Sequence, residues 1–201
     1  MQPKFLAVHP SPRQFKPKAT SGVKNRLNRL SSRTVFTGRV FQVTTERVKE
    51  PNGIVAVRDV VRHSGSVVIL AVDNSQAEPR ILLEYQYRYA AGQYLWEVPA
   101  GRIDPGERPL GGAKRELREE TGYRAKKWTR ALFFYPSPGF TDETMTVYLA
   151  SELSAGPAQP EDDEAIECKL TPLSQVLEMI RSGKIRDGKT IISVLWLAQQ
   201  R

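Results

Sequence analysis

The stretch Gly101–Tyr123, GRIDPGERPLGGAKRELREETGY, restricts the possible folds more than any other part of the 201-residue chain. Pro105-Gly106 is a turn signal. Pro109 to Thr121 reads as a helix, with Gly122 as its C-terminal stop. At 100° per residue, Leu110, Ala113 and Leu117 fall within about 60° of one another and form a stripe to be buried. Glu116 and Glu120, four apart, stack on an adjoining stripe. Glu119 lies about 100° round from Glu120, with Arg115 close beside it. Stacked like charges cost a few tenths of a kcal/mol in an isolated helix. A divalent cation reverses that sign, because hard ions such as Mg2+ or Mn2+ favour anionic oxygens. A bare Glu-rich helix is ordinarily a solvated face, so the flanking spacing has to decide between the two.

The buried stripe needs a covering layer, and strands supply it. "TVFTGRVFQVTTERVKE" (34–50) alternates apolar and polar residues, "EPNG" (50–53) is a turn signal, and "IVAVRDVVRH" (54–63) returns. "SVVILAV" (66–72) and "RILLEYQYR" (80–88) follow, then "RALFFYP" (130–136), "ETMTVYLASEL" (143–153) and "AIECKLTPL" (165–173), all rich in β-branched or aromatic residues. "SAGPAQPEDDE" (154–164) is a Pro- and acid-rich loop. Thr171-Pro172 fits an N-cap with Pro at the first helical position, and Gly183 stops that helix. A last helix starts at Asp187, with Ile191, Val194, Leu195 and Ala198 at helical spacing. The expected fold is α+β, a mixed β-sheet sandwiched between helices, with a small antiparallel β unit at residues 34–64 and the main domain at 65–201.

The net charge of +8 looks like a nucleic-acid signal until it is located. Residues 1–45 hold nine Lys or Arg and no acid, which leaves 21 basic and 22 acidic side chains in the rest. The body is neutral. Residues 1–33 read as a disordered basic tail, compatible with a solvated leader, an organelle-targeting leader or an electrostatic tether to polyanions. Specific nucleic-acid binding is not expected. No apolar run approaches the roughly 20 residues of a membrane helix. A single cysteine, Cys168, excludes an internal disulfide and a multi-thiolate zinc site. Together these point to a cytoplasmic protein.

Gly101, Glu107, Arg115, Glu116, Leu117, Glu119, Glu120, Gly122 and Tyr123 satisfy G-x5-E-x7-R-E-U-x-E-E-x-G-U. Seven fixed residues at background frequencies near 6% coincide by chance in fewer than about one chain in a million. The segment resembles the Nudix box, the loop–helix–loop signature of the Nudix hydrolases. The resemblance implies the Nudix fold and Mg2+- or Mn2+-assisted hydrolysis of a nucleoside-linked pyrophosphate. It makes Glu116 and Glu120 principal metal ligands, Glu119 a ligand or bridge, and the Ala100 carbonyl a further contact. Arg115 orients a catalytic glutamate, and Glu107 steadies the loop.

Further pieces resemble the ADP-ribose pyrophosphatase branch. "EYQYRYAAGQYLWEVPAG" resembles the strand entering the box, where Arg88 contacts substrate phosphate. "PSPGFTDE" (136–143) places Pro138, followed by Gly139, sixteen residues after Gly122, a spacing associated with ADP-ribose specificity. "PEDDEAIEC" resembles a mobile loop carrying the general base, with Glu164 the best match and Asp162 and Asp163 its competitors. In that branch the N-terminal unit crosses to a partner, implying a domain-swapped homodimer in which Arg58 and Arg62 help line the neighbour's site. Phe36, Phe41 and Tyr94 are candidates for stacking on adenine, Trp96 is core or contact, and His63 is a turn residue. The implied reaction is ADP-ribose to AMP and ribose 5-phosphate. Another nucleotide sugar, NADH or a dinucleoside polyphosphate is the alternative substrate, and a non-catalytic ADP-ribose sensor the alternative class.

Overall fold

A computed structural model describes residues 28–157 and 166–200. Three strands, β1 (Asn28–Thr37), β2 (Gln42–Lys49) and β3 (Val55–Arg62), form an antiparallel sheet in the order β1-β2-β3. The β2–β3 turn closes where Gly53 N–H donates to Glu50 O at 2.8 Å. Gly53 has φ +87°, a left-handed conformation that glycine adopts without strain. Strand β1 starts six residues before the expected boundary, so Asn28–Arg33 belong to the sheet and not to the tail. Tail residues 1–27 lie outside the described residues. The pattern missed this extension because all ten residues of β1 are exposed, and an edge strand with no buried face shows no alternation.

The main sheet has seven strands: β4 (Ser66–Asp73), β5 (Arg80–Arg88), β6 (Gln93–Glu97), β7 (Ala100–Arg102), β8 (Arg124–Phe134), β9 (Met145–Ser154) and β10 (Glu167–Pro172). Its order is β10-β5-β4-β9-β8, with β6 on β5 and β7 on β4. The β4–β9 pair is parallel and the other pairs are antiparallel. Residues Val67–Val72 are all buried, as an apolar strand covered on both faces requires. Its alternate side chains serve two cores. Val68, Leu70 and Val72 pack with Ile81, Leu83 and the helices α2 (Leu173–Arg181) and α3 (Gly188–Ala198). Val67, Ile69 and Ala71 pack with Leu82 and with Ala113 and Leu117 of α1 (Pro109–Thr121). The sheet is therefore sandwiched between helices, the α+β architecture expected.

Helix α1 has the expected bounds, and Gly122 caps it at φ +72°. Its buried face is shifted: Leu110 is only half-buried, while Gly112, Ala113, Leu117, Glu120 and Thr121 are buried. Helix α2 begins one residue later than its Pro signal suggested, with Pro172 as the N-cap residue because Thr171 and Pro172 still pair with β5. Asp187 caps α3 by accepting from Thr190 N–H at 2.9 Å. No helix among the described residues is long and apolar enough to cross a membrane.

One edge of β4 is shared, and this opens the site. The β7 strand pairs with Ser66–Val68, and β5 pairs only at Val72 and Asp73. Beyond Ile81, β5 leaves that ladder and from Glu84 pairs with β6, while β10 holds its other edge from Arg80 to Tyr85. Glu84 and Arg88 of β5, with Glu97 opposite Glu84, lie on the sheet face shared with Leu82, which packs against α1.

Candidate active site

A cavity of about 510 Å³ lies between α1, β7, the end of β5 and the start of α3. Ala100, Gly101, Glu116, Glu119 and Glu120 line one part of it, and Arg88 and Lys189 another. Gly101 is required by close approach: a Cβ added there would lie 2.0 Å from the Glu116 carboxyl carbon. The backbone at Ala100–Gly101 thus sits directly against a carboxylate.

Arg115 organises the carboxylates. Its Nε and Nη2 donate to the two oxygens of Glu107, each at 3.1 Å. Nη2 also donates to Arg102 O at 3.2 Å. Nη1 reaches Glu116 Oε1 at 2.8 Å and Glu119 Oε2 at 3.2 Å. The hydrogen bonds from Arg115 hold the Glu107 carboxyl below its ordinary range, against a smaller opposing effect of burial, and the Asp104 N–H reinforces this. The same Glu107 bonds, with Glu116 and Glu119, push the Arg115 pKa up although burial opposes it. Among the described residues, no three metal-ligating side chains converge to cage an ion by themselves. Arg115 draws Glu116 and Glu119 toward itself, while Glu120 is buried behind them. The donor set still fits a hard divalent cation: carboxylate oxygens face a glycine-thinned backbone carbonyl segment, with no soft or imidazole ligand required.

Three charged residues went unnoticed in the sequence. Glu84 is 1% exposed and interacts with the buried Glu120 carboxyl. Burial pushes the Glu84 carboxyl up to about 8, although Lys189 and Arg88 pull it back. Glu97, also buried, accepts from Arg88 Nε at 3.0 Å and Nη2 at 2.8 Å. Lys189, at the start of α3, pairs with the same carboxylate and with Asp187 at 3.1 Å. Burial raises the Glu97 pKa, but Arg88 and Lys189 outweigh it and leave the group below its ordinary value. Strand alternation held the signal for Glu84, which shares the face of Arg88 four residues on.

The other expected residues are more dispersed. Arg62 spans Glu46 at 2.7 Å and Asp142 at 2.9 Å, which ties the N-terminal sheet to the loop between β8 and β9. Arg58 pairs with Glu50 at 2.7 Å, away from the cavity. Pro138 and Gly139 form the turn of that same loop and do not line the cavity, whereas Glu143 does, held by Ser66 Oγ at 2.9 Å. His63 accepts from Gly65 N–H at 3.0 Å, as a turn residue can, and also borders the cavity. Phe41, beside Phe36, lines an adjoining hollow of about 320 Å³ with Arg62. Tyr94 and Trp96 stack on Tyr85, on the face of β6 opposite to Glu97. Trp96, half-buried, packs against the core beneath α2 and α3. Asp162, Asp163 and Glu164 lie outside the described residues.

The NUDIX domain family matches residues 62–192. The ADP-ribose pyrophosphatase of Bacillus subtilis (strain 168) is 38% identical over 170 residues, covering 84% of this chain and 90% of that protein. The methanol dehydrogenase activator of Bacillus methanolicus is 36% identical over 173 residues, covering 85% and 92%. A crystal structure of an ADP compounds hydrolase superposes with a TM-score of 0.73 at 21% identity, covering 89% of this chain and 96% of that one.

Proposed function

The chain belongs to the Nudix hydrolase family, whose members cleave phosphoric anhydrides, and on that premise we propose that it hydrolyses ADP-ribose to AMP and ribose 5-phosphate with Mg2+ or Mn2+. The observation that carries this reading is the polarity of the cavity. A carboxylate wall, Glu116, Glu119 and Glu120, faces the Arg88 guanidinium, with Lys189 beside it held on Glu97. A diphosphate needs both: a cationic donor for its oxygens, and anionic oxygens to hold the metal that accompanies it.

Glu116, Glu120 and the Ala100 carbonyl would hold the cation, with Glu119 a further ligand or bridge. The bound ion supplies neutralisation of the diphosphate and acidification of water. Arg115 keeps Glu119 and Glu116 from turning into solvent. Arg88 binds a phosphate oxygen, pre-set by its two bonds to Glu97. Glu164 acts as general base from the loop 161–164, because the helix carboxylates are occupied by metal. Pro138 and Gly139 shape the loop that bears Glu143 at the cavity. The ADP-ribose pyrophosphatase among the relatives supports this substrate over another nucleotide sugar, NADH or a dinucleoside polyphosphate. A complete box argues against a sensor.

The N-terminal sheet supports a homodimer. It exposes Leu30, Val35, Phe36, Val55 and Val57 while contributing little to either core. A second copy laid over those residues would remove them from water and bring Arg58 and Arg62 to the neighbour's cavity. The protein is proposed to be cytoplasmic, with no membrane or specific nucleic-acid partner. Incubation of purified protein with ADP-ribose and Mg2+ should release AMP, and chelation should stop it. Cleavage of other nucleotide sugars with ADP-ribose left intact would refute the substrate while leaving the class.

A further inference from the structure

Beside the cavity, which Arg88 and Lys189 line, four charged side chains alternate in sign: Asp187, Lys189, Glu97 and Arg88. The chain of contacts starts on a rigid element. Asp187 accepts from Thr190 N–H at 2.9 Å and from Thr190 Oγ1 at 2.6 Å. Thr190 Oγ1 in turn accepts from Val98 N–H at 2.9 Å. The first turn of α3 is thereby fastened to the backbone two residues before Ala100. Lys189 projects from that turn with only 10% of its side chain exposed, and its ammonium meets Glu97, which is 2% exposed.

Arg88 is the outermost member, its side chain 38% exposed. Glu97 takes up Nε and Nη2 of the guanidinium and leaves Nη1 without a hydrogen bond among the described residues. A planar fork held at two nitrogens has its third direction fixed. A carboxylate on one long side chain can hold that fork only as steadily as it is itself held. The second cation on Glu97 supplies this, since a buried carboxylate with one partner retains rotamer freedom and an uncompensated lone pair.

We infer that Lys189 is a positioning residue for phosphate recognition: by pinning Glu97 from α3 it fixes the direction in which Arg88 presents Nη1 to the substrate diphosphate. This rests on the reading of Arg88 as a phosphate ligand. It assigns a task to a residue outside the box and its flanking loops. Lys189 acts through Glu97 and Arg88 without touching substrate, so its effect vanishes when Arg88 is absent.

The test is a double-mutant cycle on the full-length protein with Mg2+, read by calorimetric titration with α,β-methylene-ADP-ribose, which cannot be cleaved. Wild type, R88M, K189M and R88M/K189M are compared, with K189R as rescue and K189Q should K189M fail to fold. R88M should weaken binding, and if it does not, the phosphate reading of Arg88 fails and the inference goes with it. K189M alone should weaken binding about tenfold, the equivalent of about 1.4 kcal/mol. It should have no further effect in the R88M background, should leave Mn2+ affinity by electron paramagnetic resonance unchanged, and should be largely restored by K189R. Equal weakening in both backgrounds would make Lys189 a direct ligand and overturn the inference. Unchanged affinity in K189M, with only a lowered melting temperature, would reduce Lys189 to a structural ion pair and also overturn it. A wild type that ignores this analogue while cleaving another nucleotide sugar sinks the substrate reading alone, and the same variants are then titrated with that sugar's methylene analogue.

Discussion

Replacing Glu84 by Gln should make the metal-free protein more stable at alkaline pH and leave it nearly unchanged at acid pH. The carboxyl is 1% exposed, its Oε1 has no hydrogen-bond partner among the described residues, and a second buried carboxyl group, Glu120, interacts with it. Burial raises its pKa from 4.5 to about 8. Below pH 4.5 the group is protonated folded or unfolded and costs nothing. As pH rises toward 8 the unfolded chain ionises it freely while the fold resists, so stability is progressively lost in that window. At about 1.4 kcal/mol per pKa unit, the shift bounds the loss at about 5 kcal/mol. Relaxation and the effective interior dielectric reduce the measurable part to about 2–3 kcal/mol. Gln keeps the shape and removes the charge. Urea unfolding of wild type and E84Q, followed by tryptophan fluorescence in a chelator at pH 5, 7 and 9, isolates the group by difference. The gap should open with pH in favour of E84Q. Saturating Mg2+ should narrow it, because a cation on Glu120 favours the ionised form of its neighbour. A gap independent of pH would show that Glu84 is solvated or paired in the folded protein, and the buried dyad would be wrong.

Glu120→Gln should lower turnover at least about 10²-fold, measured as AMP release, because it removes an anionic metal ligand with little change of shape. Its metal-free melting temperature should not fall, since one of two stacked like charges is removed. Glu164→Gln should lower kcat by roughly 10²–10⁴ with Mn2+ affinity nearly intact, while Asp162→Asn and Asp163→Asn cost much less. A crippling Asp162→Asn would keep the loop assignment and move the base. Deleting residues 1–27 should leave turnover within about twofold. Deleting through Thr37 removes β1 as well and should shift the protein toward monomer in analytical ultracentrifugation. A dimer unaffected by the longer deletion would refute the role given to the N-terminal sheet.

What the sequence disclosed depends on how local each signal is. Helix α1 was legible to the residue because its Pro start, its αL glycine stop and its 3.6-residue stripe all lie within fourteen positions. The carboxylates on it followed directly. Glu84 and Glu97 were not legible as a pair, because their meeting depends on the register of β5 against β6, thirteen residues apart. Lys189 was further still: it reaches Glu97 only because α3 docks its first turn across 92 positions of chain. The same asymmetry explains the shifted face of α1. Periodicity ranked Leu110 above Glu120 for burial on polarity alone, yet burial is decided by what stands opposite. Opposite the end of the helix stands Glu84, on a strand that leaves its neighbour after Ile81. A polar group buried there by the divergence of two strands has to find its partner inside the protein or in the ligand. Of the charged residues that a hydrophobic pattern assigns to solvent, Arg88, Glu120 and Lys189 line the cavity while Glu84 and Glu97 lie buried behind it, in the space that the departure of β5 from β4 leaves.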